Sequence, residues 1–388
     1  MVTSSPLLSR ITRAPKGSFF LFGARGVGKS TWTRATFPAA RRFDLLDEGL
    51  HQSLLADPAL FGAELRTLEP GSLVIVDEVQ RIPSLLNEVH RAIEELGLRF
   101  ALLGSSARKL KTAGTNLLAG RALWQTMFPF VPEELAATFD LESTLRFGSI
   151  PLVVASEEPA ETLDAYVQLY LREEIRGEAL VRNLPGFVRF LPIAALAHGQ
   201  VINVAGIARD TGTARATVQG YLEILEDTLL AWRLPAFESR LRVRERKHPK
   251  LYWLDPGLVR ATKKRHGPLA AEERGALFEG FVHMLLRAYG EIHPLFDEIS
   301  YWAPAEARSV EVDFVLQREG EHLALEVKSG TRFAPSELAG LRAIADLPKL
   351  TRRVLIYNGE RALRTPDGIE VWPLARFLEA LAGQTLWP

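Results

Sequence analysis

Eight consecutive residues, Gly23-Ala24-Arg25-Gly26-Val27-Gly28-Lys29-Ser30, carry the spacing G-x-x-x-x-G-K-S of a phosphate-binding loop. Its glycines let the backbone curl so that successive N–H groups face one anion, and a helix start adds its dipole. Lys29 then reaches the terminal phosphates of a nucleoside triphosphate, and the Ser30 hydroxyl holds Mg²⁺. The expected contacts run from Gly23 to Thr31, with ATP and Mg²⁺ as cofactors. The alternative is a Gly-rich turn with an exposed lysine.

A second pair of groups suits the same chemistry. Asp77 and Glu78 end the apolar run Leu73-Val74-Ile75-Val76. A carboxylate there holds Mg²⁺ through its water shell, and its neighbour polarises an attacking water. Alternatively the two acids end a strand and cap the next helix. Ser105 or Ser106, after Phe100-Ala101-Leu102-Leu103-Gly104, can touch the γ-phosphate or serve as a helix N-cap. Arg121, or its rival Arg108, can reach the ATP of a neighbouring subunit, where such arginines speed transfer ~10³–10⁵-fold.

A third set lies in the C-terminal third. Asp313 sits inside Val310–Leu316, and Glu326 and Lys328 share one face of His322–Lys328 by period-two alternation. Glu279 sits on a helix expected over 275–288. Carboxylates within apolar strands are costly unless they bind something. Glu311 alternates with Asp313, with Lys328 or Arg308 as its expected partner.

These groups need a scaffold. Ser18–Phe22, a loop and Thr31 onward read strand, loop, helix, which is the setting the phosphate loop requires. Strands follow at 42–46, 73–77, 99–103 and 122–128, with helices at 49–68 and 85–96. The continuous apolar run before Asp77 suits a parallel strand covered on both faces. An amphipathic helix over 161–176 follows a break at Phe147–Pro151, and Leu184-Pro185-Gly186 reads as another break. Residues 203–213 and 214–227 read as helix, Gly turn, helix, with an apolar strand to Leu234: a winged helix. It docks on DNA through Arg209, Arg215 and Gln219, or serves as a protein-packing module. Glu223, Glu226 and Asp227 oppose groove reading along the whole second helix. Beyond it, Arg240, Arg242, Arg244, Arg246, Lys247 and Lys250 form a basic strip suited to sequence-independent phosphate contact.

Composition bounds the rest. The chain has 388 residues, enough for two or three domains, with 47 basic and 47 acidic side chains. That balance exerts no general pull on nucleic acid, so DNA contact needs local basic patches. There is no cysteine, which excludes disulfides and thiolate metal sites and fits a reducing cytoplasm. No apolar run approaches the ~20 residues of a membrane span, so a cytoplasmic protein without membrane partners is expected.

The set Gly23–Ser30, Leu73–Glu78, Leu103–Ser105 and Gly120-Arg121 resembles the AAA+ ATPases. More narrowly it resembles a bacterial and archaeal group with a C-terminal domain of unknown function, the DUF4143 type. The stretch Pro249-Lys250-Leu251-Tyr252 with Asp255 and Gly257-Leu258 is characteristic of it. The resemblance implies an oligomeric ring, usually a hexamer, with ATP between subunits. It assigns nucleotide contact to Ser105 and a trans finger to an arginine near Gly120.

The C-terminal set resembles the PD-(D/E)xK nuclease fold, with Val312 where that family carries proline. This resemblance assigns Mg²⁺ to Asp313 and Glu326, support or a second metal to Glu279, and water positioning to Lys328. A fold kept for DNA binding or assembly, without cleavage, is the alternative. The expected architecture is α/β: an AAA+ P-loop core (1–150), a helical lid (151–185), a winged helix with a basic wing (186–265), and a nuclease-like α/β domain (266–388). The expected function is an ATP-driven machine that moves on or remodels duplex or branched DNA, Holliday junctions among them. The rivals are a nucleotide-switched signalling or binding protein and an ATP-gated nuclease that does not translocate.

Overall fold

Five parallel strands, β1 (Ser18–Phe22), β2 (Arg41–Asp44), β3 (Leu73–Asp77), β4 (Arg99–Gly104) and β5 (Ala122–Thr126), form a sheet in the order β2-β3-β4-β1-β5. They belong to a computed structural model that describes residues 8–106, 118, 120–170, 183–238, 245–305 and 310–388. Contacts divide the chain into two units, one of 1–130, 150–155 and 223–230, the other of 131–149, 156–222 and 231–388. The four segments expected from the sequence are distributed over these two units.

In the first unit the parallel arrangement has a direct consequence. All five strands end on one edge, and β3, β4 and β1 are consecutive neighbours, about 5 Å apart. The loops after them therefore share one crevice, where open α/β sheets bind ligands. One face is packed by Phe20, Phe22, Phe43, Phe61, Val74, Val76 and Leu102, all buried. The single helix expected over 49–68 is two, Glu48–Ala56 and Ala59–Leu65. Pro58 explains the break, since it cannot donate the hydrogen bond that would continue the first helix.

The second unit holds a six-stranded mixed sheet, β13-β14-β12-β11-β10-β9. Its strands are β9 (Glu298–Trp302), β10 (Val312–Arg318), β11 (Glu321–Lys328), β12 (Leu350–Tyr357), β13 (Leu363–Arg364) and β14 (Glu370–Pro373). β10 and β11 are antiparallel, whereas β12 runs parallel to both β11 and β14. The helix Ala271–Ile292 packs on β11. A smaller antiparallel sheet, β6 (Gln200–Val201), β8 (Lys250–Trp253) and β7 (Ala231–Leu234), lies in the order β6-β8-β7.

Helices Val204–Thr211 and Arg215–Asp227 bracket Gly212, whose φ of 63° supplies the left-handed turn between them. Leu184-Pro185-Gly186 is no break: Asn183 caps a helix over Leu184–Leu196, and Pro185 occupies its first turn. A first-turn proline needs no N–H partner, so it starts a helix as readily as it stops one. The expected helix 161–176 is a helix over Pro159–Ala165 and a π turn over Tyr166–Tyr170; its remainder lies outside the described residues.

Asp255 joins distant parts of this unit. Its carboxylate is buried, accepts the Leu258 N–H that starts helix Pro256–Thr262, and accepts the Ser149 N–H at 2.7 Å. Among the described residues, no helix is long and apolar enough to cross a membrane.

Candidate nucleotide site and a buried carboxylate cluster

The phosphate loop follows β1 directly. Gly26 and Gly28 take φ of 80° and 93°, which only glycine adopts without strain, and Gly28 caps the helix Lys29–Thr36. The Lys29 ammonium is buried and donates to the Gly23 carbonyl at 2.7 Å and the Ala24 carbonyl at 3.2 Å, so its charge is held inside the loop. Ser30 is half-buried and Thr31 exposed. Thr31 and Gly28 border a cavity of about 500 Å³ walled by Trp32, Phe130 and Pro151 together with Leu8 and Arg10. Arg10 braces this wall, donating to the Val27 and Phe128 carbonyls with its guanidinium over the Phe130 ring.

At the end of β3, Asp77 is buried and accepts the Glu78 N–H at 3.1 Å. Glu78 takes a φ of 57°, a left-handed conformation uncommon for a residue with a Cβ. Its carboxylate accepts from the Gln80 side-chain amide and from the Ser105 hydroxyl at 3.4 Å, and Gln80 also donates to Ser105 at 3.0 Å. Gln80 is buried, and its amide oxygen makes no hydrogen bond among the described residues. The structure thus joins Glu78 and Ser105 and inserts a residue that sequence reading missed. The signal was a glutamine two positions beyond Glu78, directly after the apolar Val79. A phosphate loop with a buried ammonium and a buried carboxylate in one crevice fits a magnesium nucleotide.

The second unit gathers a different cluster. Glu279, Glu311 and Asp313 bring carboxylate oxygens within 4.8 Å of one another. Lys250, on β8, points its ammonium at all three: 2.9 Å from Glu279, 3.5 Å from Asp313, and paired with Glu311. The Tyr252 hydroxyl, on the same face of β8, donates to Glu279. The other Asp313 oxygen accepts the Val327 N–H at 2.8 Å. Lys328 pairs with Glu326 at 2.5 Å, and the second Glu326 oxygen makes no hydrogen bond among the described residues.

Burial pushes Asp313 up to about 6, and Glu279 adds to it against Lys250 and Lys328. Burial likewise drives Glu326 well up. Lys250 rises as well: burial opposes its charge, yet Glu279, Tyr252, Asp313 and Glu311 hold its pKa above the usual lysine range. Beside the cluster, His283 is buried and stacks on Tyr252 at 4.5 Å, and burial keeps it neutral by lowering its pKa well below the usual value.

Comparison with known proteins gives three consecutive family matches: an AAA domain at 16–136, the domain of unknown function DUF8612 at 138–268, and the domain of unknown function DUF4143 at 274–377. The chain is an AAA+ protein with a DUF4143 region. The DUF4143 match of this AAA+ protein covers the six-stranded sheet, whereas the two helices about Gly212 fall in the DUF8612 match. An uncharacterised protein of Mycobacterium tuberculosis is 28% identical over 368 residues, covering 92% of this chain and 80% of that one. One from Haemophilus influenzae is 23% identical over 315 residues, covering 76% and 75%. Among solved structures, the Aeropyrum pernix ORC1 protein in complex with DNA is 12% identical, covers 65% of this chain and 87% of its own, and has a TM-score of 0.25.

Other residues of the AAA+ protein fall elsewhere. Arg121 precedes β5, whose first residue pairs with Ser18 at the start of β1, so it lies at the opposite sheet edge from its own phosphate loop. It is part-exposed and pairs with Glu94. Arg108, Arg240, Arg242, Arg244 and Arg308 lie outside the described residues. Arg209 is 80% exposed, and Arg215, Gln219 and Lys247 are exposed as well.

Two expectations change. Lys250 is not part of a surface strip for DNA: its side chain is 3% exposed and its charge is spent on three carboxylates. Glu311 pairs with Lys250 and, at 3.7 Å, with Arg246, and not with Lys328 among the described residues; Arg308, the other expected partner, lies outside them. The overlooked signal was a lysine and a tyrosine at alternate positions of the apolar passage Lys250-Leu251-Tyr252-Trp253.

Proposed function

We propose that this AAA+ protein binds ATP with Mg²⁺ on Gly23–Thr31, hydrolyses it, and uses the cycle to move along or remodel DNA. The observation that carries hydrolysis is the Glu78–Gln80–Ser105 network at the ends of β3 and β4, with β4 next to the strand that leads into the phosphate loop. Ser30 and Asp77 hold the metal, which when bound neutralises phosphate charge and orients the transferring group. Lys29 leaves the Gly23 and Ala24 carbonyls for the terminal phosphates, exchanging neutral acceptors for anionic ones. Glu78 orients the attacking water and takes its proton, and the Gln80 amide oxygen, which makes no hydrogen bond among the described residues, is a further acceptor for that water. The cavity at Trp32 and Phe130 has the size and apolar walls that suit a nucleobase. Arg121, exposed and remote from its own loop, suits completion of a neighbouring site in an oligomeric ring, usually a hexamer.

DNA contact is supported by helix Val204–Thr211, Gly212, helix Arg215–Asp227 and sheet β6-β8-β7, which together read as a winged helix. Arg209, Arg215 and Lys247 present exposed charge there, and in sequence Arg240, Arg242, Arg244 and Arg246 precede Lys247. Duplex and branched DNA, four-way junctions included, are the substrates to compare. DNA should stimulate ATP turnover, the stimulation should fall steeply with salt, and Lys29→Ala should abolish it. Turnover unaffected by single-stranded, duplex, forked or four-way DNA would exclude the motor.

A second reading, an ATP-switched binding protein whose nuclease-like region is a scaffold, is favoured by one observation. The acidic groups of the C-terminal cluster are already matched by lysines.

A further inference from the structure

The carboxylates that the nuclease resemblance assigns to Mg²⁺ are Glu279, Asp313 and Glu326. Mg²⁺ demands near-octahedral oxygen ligands at about 2.0–2.1 Å. Of the Asp313 oxygens, one accepts the Val327 N–H at 2.8 Å and the other lies 3.5 Å from the Lys250 ammonium. The Glu279 oxygen 2.9 Å from Lys250 also accepts the Tyr252 hydroxyl. One Glu326 oxygen is held by Lys328 at 2.5 Å. A dication held by the Glu279 and Asp313 oxygens that face Lys250 would have to share them with its buried ammonium, and like charges in a poorly screened interior repel strongly.

Lys250 has no easy way out. β8 is hydrogen-bonded to β6 on one side and β7 on the other. The Lys250 ammonium also lies over the Tyr301 ring, 5.4 Å from its centroid. Withdrawal would leave Glu279, Glu311 and Asp313 facing one another without their shared cation, and an unpaired buried charge is strongly destabilising. With Lys250 in place, the facing oxygens of Glu279, Glu311 and Asp313 are taken, and the one Glu326 oxygen that makes no hydrogen bond among the described residues is too few donors to hold Mg²⁺ by itself.

We propose that Lys250 is the resident cation of this cluster, standing where a metal-dependent nuclease would hold Mg²⁺, so that the carboxylates brace the second unit instead of binding a divalent ion. Lys250 gathers the helix of Glu279, the strand of Asp313 and the segment of Glu311 around one ammonium, as a structural metal would. This inference is independent of the ATPase reading, because the cluster and the phosphate loop share no residue.

Mn²⁺ binding to the full chain without nucleotide, read by electron paramagnetic resonance of the free ion, tests it. Wild type and Asp313→Asn should bind equal amounts of Mn²⁺, since the phosphate loop is common to both, and Mn²⁺ should move their melting temperatures equally. Lys250→Gln should gain one site at least tenfold tighter than any wild-type site outside the phosphate loop, and adding Asp313→Asn should remove it. A wild-type Mn²⁺ site lost in Asp313→Asn would overturn the proposal, as would a folded Lys250→Gln that gains none. If Lys250→Gln does not fold, the wild-type and Asp313→Asn pair alone decides.

Discussion

The Gln80 side-chain amide donates to the Ser105 hydroxyl at 3.0 Å, tying the turn after β3 to the end of β4. The same nitrogen donates to Glu78, so one amide fixes the Glu78 carboxylate relative to the Ser105 hydroxyl. Gln80→Ala removes both bonds without touching the loop. Steady-state ATPase assays should show kcat down roughly tenfold or more with KM for ATP within about threefold, the pattern of a lost transition-state interaction. A tenfold rise in KM with kcat unchanged would place Gln80 in nucleotide binding instead.

Arg121 and Glu94 form a surface pair, and such pairs contribute about 0–1 kcal/mol. Arg121→Ala should therefore leave the urea midpoint nearly unchanged. If the arginine completes a neighbour's site, the variant should lose at least ~10²-fold in ATPase rate. Mixing Arg121→Ala with Lys29→Ala should restore part of it, because one supplies the loop and the other the arginine. Failure of the mixture to recover activity would remove the trans role.

Gly257 cannot carry a side chain. A Cβ there would lie 2.1 Å from the Phe147 carbonyl oxygen and 2.8 Å from the Gly148 nitrogen, both backbone atoms. Gly257→Ala should cost about 2–4 kcal/mol in urea unfolding. Gly220, inside helix Arg215–Asp227, meets nothing within 4 Å, so Gly220→Ala should add roughly 0.5–1 kcal/mol.

Asp255 carries a pH dependence. Burial pushes its carboxyl up from an ordinary 3.8 to about 6, against the N–H donors of Ser149, Leu258 and Gly257. A carboxyl raised by folding favours the folded state most below its unfolded pKa, and that contribution disappears as pH rises through the folded value. Relative to Asp255→Asn, the wild type should therefore lose about 2–3 kcal/mol between pH 4 and pH 7, measured by urea unfolding at each pH. A constant difference across that range would show that Asp255 stays ionised.

The phosphate loop, the strand before it, Asp77-Glu78 and the strand before Ser105 are legible in the sequence, because each depends on residues a few positions apart. Glycine conformation, apolar runs and alternation are local physics. The helix break at Pro58 was readable for the same reason, although the apolar stretch around it concealed it. By contrast, Lys250 meets Glu279 and Asp313 across 29 and 63 residues. Read locally, it closes a basic strip headed by Arg240 and looks like its last member. Only the pairing of β8 between β6 and β7, and the packing of helix Ala271–Ile292, turn it inward. Once its ammonium is enclosed by carboxylates, the low dielectric makes their attraction strong and separation costly. The sequence by itself determined which groups exist and which strand or helix bears each. Which charges meet, and hence whether the carboxylates face a metal or a lysine, was decided by tertiary structure alone, because no local rule links residues that converge only when sheets and helices pack.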